Sequence, residues 1–198
     1  MKKITGEEFC ELINQNPSWC KDLKEPLEIT TYSNVGYSKI THLSPLITFS
    51  GKSISGCVAD FDNCKNLKVA TGTFNGYVDF TESGIEKIEN LLVKGVDHKG
   101  MSASFYLCEK LKVATGTFEG FVNFNDSGVT TIKDLIIEKV DTDKEKARFY
   151  HCPIEYIPKE YRGEKFLFSG EVIKKSEIKD RIKEAINKIK SETNNIEI

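Results

Sequence analysis

The segment "LKVATGTF" occupies residues 67–74 and occurs again, unchanged, at residues 111–118. The identity extends outward: "CKNLKVATGTFNGYVDF" at 64–80 matches "CEKLKVATGTFEGFVNF" at 108–124 in 12 of 17 positions. The repeat period is therefore 44 residues. Periods between about 20 and 50 residues are typical of chains that stack copies of one structural unit. We expect this segment to decide the fold.

A shorter repeat lies inside the longer one. The spacing apolar-x-x-apolar-x-x-Leu-x-Val recurs, with leucines at 46, 67, 91, 111 and 135, in steps of 21, 24, 20 and 24 residues. A Leu-x-Val stretch alternates between two faces and so predicts a short strand. One such unit cannot bury its own apolar side, whereas stacked units share a continuous core. The sequence predicts a mainly β, leucine-rich-repeat-like solenoid with parallel short strands and about six coils of 20–24 residues.

Two coil types alternate in this interpretation. The longer coil carries "ATGTFxGxVxF", which we interpret as a second strand or a bulge on the convex side. Segments 59–69, "ADFDNCKNLKV", and 103–113, "ASFYLCEKLKV", share Ala-x-Phe-x-x-Cys-x-x-Leu. In this pattern the chain resembles BspA-like leucine-rich repeats over about residues 40–157. The resemblance implies binding of a protein or a surface rather than a conserved reaction.

Both ends of the chain predict helical caps, because the exposed end of a repeat stack needs covering. Residues 5–16 predict a short helix with Thr5 as N-cap. Residues 176–192 predict an amphipathic helix with isoleucines at helical spacing. It either docks on the last coil or binds a partner. The predicted domains are an N-terminal capping helix at 1–18, the solenoid at 19–158, and a C-terminal cap at 159–198.

Composition excludes several classes of protein. A net charge of −2, with 39% hydrophobic and 29% charged residues, describes a globular chain without the strongly basic face of a nucleic-acid binder. No apolar run is long enough to span a membrane, and the N-terminus does not predict a cleavable signal peptide. We expect a cytoplasmic protein with reduced thiols. The alternative is a bacterial effector exported by a signal-independent route.

No catalytic, metal-binding or cofactor-binding motif is found, so we expect no cofactor and no enzymatic activity. The alternative is a carbohydrate-active or other hydrolytic β-helix with an acidic ladder on the coil edge. That ladder contains Asp79, Glu82 and Asp126, with Asp60 and Asp62 nearby. A further alternative makes Cys10 and Cys57 reactive thiols, since both lie outside the repeat.

The predicted function is non-enzymatic binding of a protein partner through the concave strand face. Residues between the Leu and Val of each strand should point outward, and large aliphatic groups there are not needed by the core. The predicted partner-binding residues, which include flanking positions, are Ile47, Phe49, Lys68, Leu92, Lys94, Lys112 and Ile136. Self-association through this strip or through the C-terminal helix is the alternative to a different protein partner.

Overall fold

The computed structural model describes residues 1–139, 145–154, 157–161 and 166–168. Its strands form two sheets of seven strands each, and every pairing between neighbours is parallel. The first sheet has, in spatial order, β1 (Lys2–Ile4), β2 (Leu27–Ile29), β4 (Ile47–Phe49), β6 (Val69–Phe74), β8 (Lys87–Val93), β10 (Val113–Phe118) and β12 (Thr131–Ile137). The second sheet has β3 (Ser33–Asn34), β5 (Cys57–Asp60), β7 (Tyr77–Asp79), β9 (Met101–Ser104), β11 (Phe121–Asn123), β13 (Ala147–Phe149) and β14 (Phe166–Phe168).

From β2 to β13 the chain alternates between the two sheets, so each strand pairs with the strand two positions further along. The turns between strands are tight. A Cβ on Gly95 would approach the Gly76 Cα to 2.8 Å, and a Cβ on Gly76 would approach the Gly56 carbonyl oxygen to 2.6 Å. Side-chain-free residues at this corner let successive turns stack.

Phenylalanines fill the core between the sheets. One row follows the ends of the strands of the second sheet, and its ring centroids are 5.1 to 5.3 Å apart in nearly parallel stacks. Its members are Phe61, Phe80, Phe105, Phe124, Phe149 and Phe168. In the first sheet, Phe49 and Phe74 stack at 4.8 Å. These distances match the spacing of neighbouring strands, about 4.8 Å, because each strand contributes one ring.

The turns after β3, β5, β7, β9, β11 and β13 share a backbone conformation. One non-glycine residue in each has a positive φ of 53–60°: Tyr37, Asn63, Glu82, Leu107, Asp126 and His151. The residue that follows is alternately serine or cysteine. The thiols of Cys64, Cys108 and Cys152 donate to the carbonyls of Val35, Phe80 and Phe124, at 3.2, 3.1 and 2.9 Å. These cysteines are 44 residues apart because they occupy equivalent positions in equivalent turns.

The predicted fold class, a mainly β, leucine-rich-repeat-like solenoid of about six coils, is wrong. Two parallel sheets of seven strands, with one α-helix among the described residues, give an α/β-like arrangement instead. The error lies in the assignment of the strands. Leu67 and Leu111 precede their strands, and β6 and β10 are formed by the segment Val-Ala-Thr-Gly-Thr-Phe. In the segment interpreted as a second strand or a bulge, "ATGTF" belongs to the first sheet, and only "YVD" and "FVN" enter the second sheet, as β7 and β11.

The prediction that the N-terminal helix caps the end of the stack is also wrong. Helix α1 (Gly6–Gln15) is present with Thr5 as its N-cap, and Glu8 completes a capping box. However, Lys2–Ile4 enter the first sheet as β1, so α1 connects two strands of one sheet rather than standing outside it. Its buried Phe9 packs edge-to-face on Phe49 at 5.3 Å. The predicted helix at 176–192 lies outside the described residues, and the predicted domain boundaries stay a prediction.

Candidate binding surfaces

The outer face of the first sheet carries a row of threonines and aliphatic residues. Register pairs link Thr48 to Thr73, Thr73 to Leu92, Leu92 to Thr117, and Thr117 to Ile136. We call these five residues the threonine–aliphatic row. Ile136 is 53% exposed, and Leu92 is partly exposed. Because outward positions gain nothing from the core, aliphatic groups there are available for contact with another molecule.

Charged side chains border this row. At one end the row continues into Glu28 and Lys3, which form an ion pair of 2.9 Å. Hydrogen bonds from Lys3 and, to a smaller extent, Ser50 lower the pKa of the Glu28 carboxyl. Lys94, which directly follows β8, is exposed. The surface is therefore a narrow uncharged row between charged groups.

Two of the predicted partner-binding residues are corrected. Ile47 and Phe49 are 1% and 0% exposed, and they point into the core, while Thr48 between them points outward. Successive side chains of a strand point to opposite faces, so the one-residue error in the predicted strand inverted the orientation of all three. Ile47 and Phe49 are not surface residues.

The structure separates the predicted lysines from the predicted aliphatic residues. Lys68 and Lys112 lie in the segments before β6 and β10, and Thr73 and Thr117 occupy the positions beside Leu92 instead. Lys68 forms an ion pair of 3.0 Å with Glu86. Leu92 and Ile136 thus share one row, in which their neighbours are threonines.

The outer face of the second sheet carries two adjacent rows. The first is polar, and register pairs order it as Asn34, Asp60, Asp79, Ser104, Asn123 and Arg148. Ser104 is only 4% exposed, so it is the buried member of this row. The second row lies two residues earlier along β7 and β11. In it Tyr77 pairs with Cys57, and Phe121 pairs with Met101. The Arg148 guanidinium carbon lies 5.0 Å from the centroid of the Phe121 ring.

Most residues of the polar row are held in one conformation by their own turn. Asp60 Oδ1 accepts from the backbone N–H of Asp62 at 2.9 Å, and Asp79 Oδ1 accepts from Thr81 N–H at 2.9 Å. Asn123 Oδ1 accepts likewise from Asn125 N–H at 3.1 Å. Such bonds to the backbone two residues later are usual for Asn and Asp in turns. They use one terminal atom of each side chain.

Burial raises the pKa values of three side chains on or next to the strands from β3 to β7. It raises the pKa of the Asp60 carboxyl, and the Asp79 charge adds to that rise. Burial, with a smaller contribution from Asp60, raises the pKa of Tyr32 to about 12. Burial and Asp79 raise the pKa of Tyr77 as well. Both phenols are therefore neutral donors at physiological pH.

The acids predicted as a catalytic ladder do not form one cluster. Asp60 and Asp79 are register partners on neighbouring strands. Glu82 instead lies in the following turn, where Lys65 Nζ is 3.4 Å from its carboxylate, and Asp126 contacts His151 Nδ1 at 2.8 Å. Within the described parts of the chain, no three His, Cys, Asp or Glu side chains converge as a metal site would require.

The surroundings of Cys10 and Cys57 oppose thiolate formation. Burial raises the pKa of Cys10, whose thiol donates to the Asn34 carbonyl at 3.1 Å. Burial, followed by the charges of Asp60 and Asp79, raises the pKa of Cys57 to about 12. Reactive cysteines have lowered pKa values, so these sites lack the electrostatics of an activated nucleophile. All six cysteines are free thiols.

Comparison with models of known families, with curated proteins and with solved structures finds no match. No helix in the described ranges has the length and apolar character needed to cross a membrane.

Sequence reasoning missed the rows of the second sheet, although a signal for them is present. "YSN" at 32–34, "YVD" at 77–79 and "FVN" at 121–123 repeat an aromatic-x-Asx pattern at intervals of 45 and 44 residues. The pattern was missed because "YVD" and "FVN" fall in the segment that was interpreted as a second strand or a bulge of the longer coil. Only the strand register shows that these triplets fall on one face.

Proposed function

We propose that this protein is a non-enzymatic interaction module that binds a protein partner through the outer face of its first sheet. The observation that carries the proposal is the threonine–aliphatic row, in which Leu92 lies between threonines and the 53% exposed Ile136 ends the row. Such a row suits a partner that contributes apolar side chains at its centre and polar ones at its rim.

The charged borders of the row support a protein partner. Glu28 and Lys3 close one end, while Lys94 is exposed directly after β8, two residues beyond Leu92. Mixed charges at the rim of an apolar contact favour one orientation of a partner. A reducing, cytoplasmic setting is part of the proposal, and it is supported by the six free cysteines.

The test changes the two aliphatic residues of the row. We expect Leu92→Asp and Ile136→Asp each to weaken binding of a partner identified by affinity capture at least about tenfold, because a buried charge without a counter-ion opposes association. Ile54→Asp is the matched control: Ile54 is fully exposed in the turn between β4 and β5, so its change leaves binding intact.

Binding is measured by titration calorimetry, and the fold of each variant is checked by circular dichroism and its unfolding midpoint. Equal affinity of all three folded variants would contradict the proposal. Self-association is distinguished by sedimentation, since only a second copy as partner makes the molecular mass depend on Leu92.

A further inference from the structure

We propose that the outer face of the second sheet binds an extended, neutral oligosaccharide. The inference starts from a repeated triplet. An aromatic residue is followed two positions later by Asn or Asp in Tyr32–Asn34, Tyr77–Asp79 and Phe121–Asn123. The three triplets lie on or beside β3, β7 and β11, which alternate with β5 and β9 in the sheet.

The period of the triplets suits a polymeric ligand. Neighbouring strands lie about 4.8 Å apart, so every second strand repeats at roughly 10 Å. That is close to the length of two sugar units in an extended, β-linked glycan. Because a two-unit repeat presents the same sugar face at each step, a single chain can contact all three triplets with equivalent groups.

The residue types match the two surfaces of a sugar. The axial C–H groups of a pyranose form an apolar patch that packs on the face of an aromatic ring, whose negative π cloud attracts the partly positive hydrogens. Tyr32, Tyr77 and Phe121 are all partly exposed. The hydroxyl groups around the sugar need acceptors and donors, which the adjacent polar row supplies.

The polar row is already oriented for such contacts. In Asn34 and Asn123, Oδ1 accepts a backbone N–H two residues later, at 3.2 and 3.1 Å. The amide nitrogens, Nδ2, have no partner among the described residues. Asp79 Oδ1 is likewise held by Thr81 N–H at 2.9 Å. Side chains fixed before binding lose less entropy when the ligand arrives.

Charge selects a neutral glycan. Asp60 and Asp79 stand side by side in the polar row, so a uronic acid or a nucleic-acid phosphate above them meets like charge. Arg148 does not reverse this, because its guanidinium is 2.6 Å from the Glu145 carboxylate and lies over the Phe121 ring. Neutral hydroxyl groups, in contrast, find both acceptors and donors.

The experiment uses the full chain and glycans of defined length. Cellohexaose, xylohexaose and β-linked mannohexaose are the extended neutral probes, and maltohexaose (which coils) and polygalacturonate (which is anionic) are the contrasts. We expect at least one extended neutral probe to bind, with affinity increasing from the disaccharide to the hexasaccharide as more triplets are engaged. Binding is measured by affinity electrophoresis and calorimetry.

Variants locate the site. Tyr77→Ala and Phe121→Ala should each weaken binding about tenfold, whereas Tyr77→Phe keeps the ring and should stay within about threefold of the original protein. Leu92→Ala on the first sheet is the control and should leave glycan binding unchanged. This control also keeps the result independent of the proposed protein-binding face.

Three outcomes would overturn the proposal: binding of none of the extended neutral probes, an affinity that does not grow with chain length, or equal affinity in folded Tyr77→Ala and Leu92→Ala variants. An oligoarginine probe provides the competing case of a basic peptide on an acidic, aromatic face. Retention of that probe with no glycan retained likewise contradicts the proposal.

Discussion

Cys20 and Cys57 are thiols that the fold keeps protonated. Cys20 is 1% exposed and Cys57 is 8% exposed, and the pKa of each rises to about 12, chiefly through burial. Unfolded thiols ionise near 9.0. A raised pKa in the folded state means that stability is fully present below about pH 9 and is lost as the pH rises toward 12.

We therefore expect the free energy of unfolding to fall between about pH 8 and pH 10.5, by about 1 to 2 kcal/mol for each of these thiols. Urea unfolding at both pH values measures the change. The Cys57→Ala variant removes one of the two groups, so its loss should be smaller. An equal loss in the variant and in the original protein would show that Cys57 does not contribute.

A shift of one residue in strand register determines which side chains of the first sheet face outward. Thr48 faces outward and Phe49 inward, so reading the strand one position early predicted a surface phenylalanine where the structure has a core residue. The apolar character of a residue does not show which face of the sheet its side chain occupies, so it could not reveal this error. Ile47, Phe49, Leu92 and Ile136 are all apolar, and only pairing with neighbouring strands fixes the face of each.

Bulges interrupt the regular pairing of strands in the first sheet. Between Ala70 and Gly72 the register with β8 shifts by one residue, and the same shift occurs between Ala114 and Gly116 against β12. Gly72 and Gly116 have φ values of 103° and 113°, a region that favours glycine. The extra residue lies on the partner strand in both places, where Asn90 of β8 and Asp134 of β12 have positive φ values of 49° and 51°. Each copy of "VATGTF" thus pairs with a bulged strand.

Glycines in the turns before β8 and β12 permit close contact between turns. A Cβ on Gly84 would collide with the Lys65 carbonyl, and one on Gly128 with the Glu109 carbonyl. Since backbone atoms cannot move aside, we expect Gly84→Ala to lower the free energy of unfolding by about 3 kcal/mol or more. Urea unfolding provides the measurement.

Gly100→Ala is the control for this prediction. Gly100 has a φ of 84° but nothing within 4 Å of an added Cβ, so only the backbone strain of about 1 kcal/mol is expected. Equal losses in the two variants would mean that the close contact at Gly84 does not limit packing.

At the scale of the whole molecule, the stacked phenylalanines join successive strands into one core. Phe105 lies between Phe80 and Phe124, at 5.2 Å from each ring centroid. We expect Phe105→Ala to cost about 3 to 5 kcal/mol, because the truncation leaves a cavity in the middle of the row. Tyr106→Ala, at a neighbouring residue that is 37% exposed, should cost about 1 kcal/mol or less.

Denaturant unfolding of both variants, followed by tyrosine fluorescence and circular dichroism, tests this expectation. A loss for Phe105→Ala no larger than that for Tyr106→Ala would show that the row is not the main support of the core.

The two proposed binding faces lie on opposite sides of this core. The first sheet presents uncharged, largely apolar contacts, and the second presents aromatic rings with oriented polar groups. Because β2 to β13 alternate between the sheets, a 44-residue repeat places matched residues on every second strand of both. The repeat in the sequence therefore places equivalent residues at regular intervals on the outer faces of both sheets.

The sequence alone was sufficient to predict short parallel strands, a 44-residue repeat, and a helix within residues 5–16 that begins after Thr5. Those features follow from local patterns: identity at fixed spacing, alternation, and capping residues. Only the tertiary structure decided that there are two sheets and which of Ile47, Thr48, Leu92 and Ile136 face outward. Pairing between distant strands fixes the register, and a period of two residues looks the same from either face.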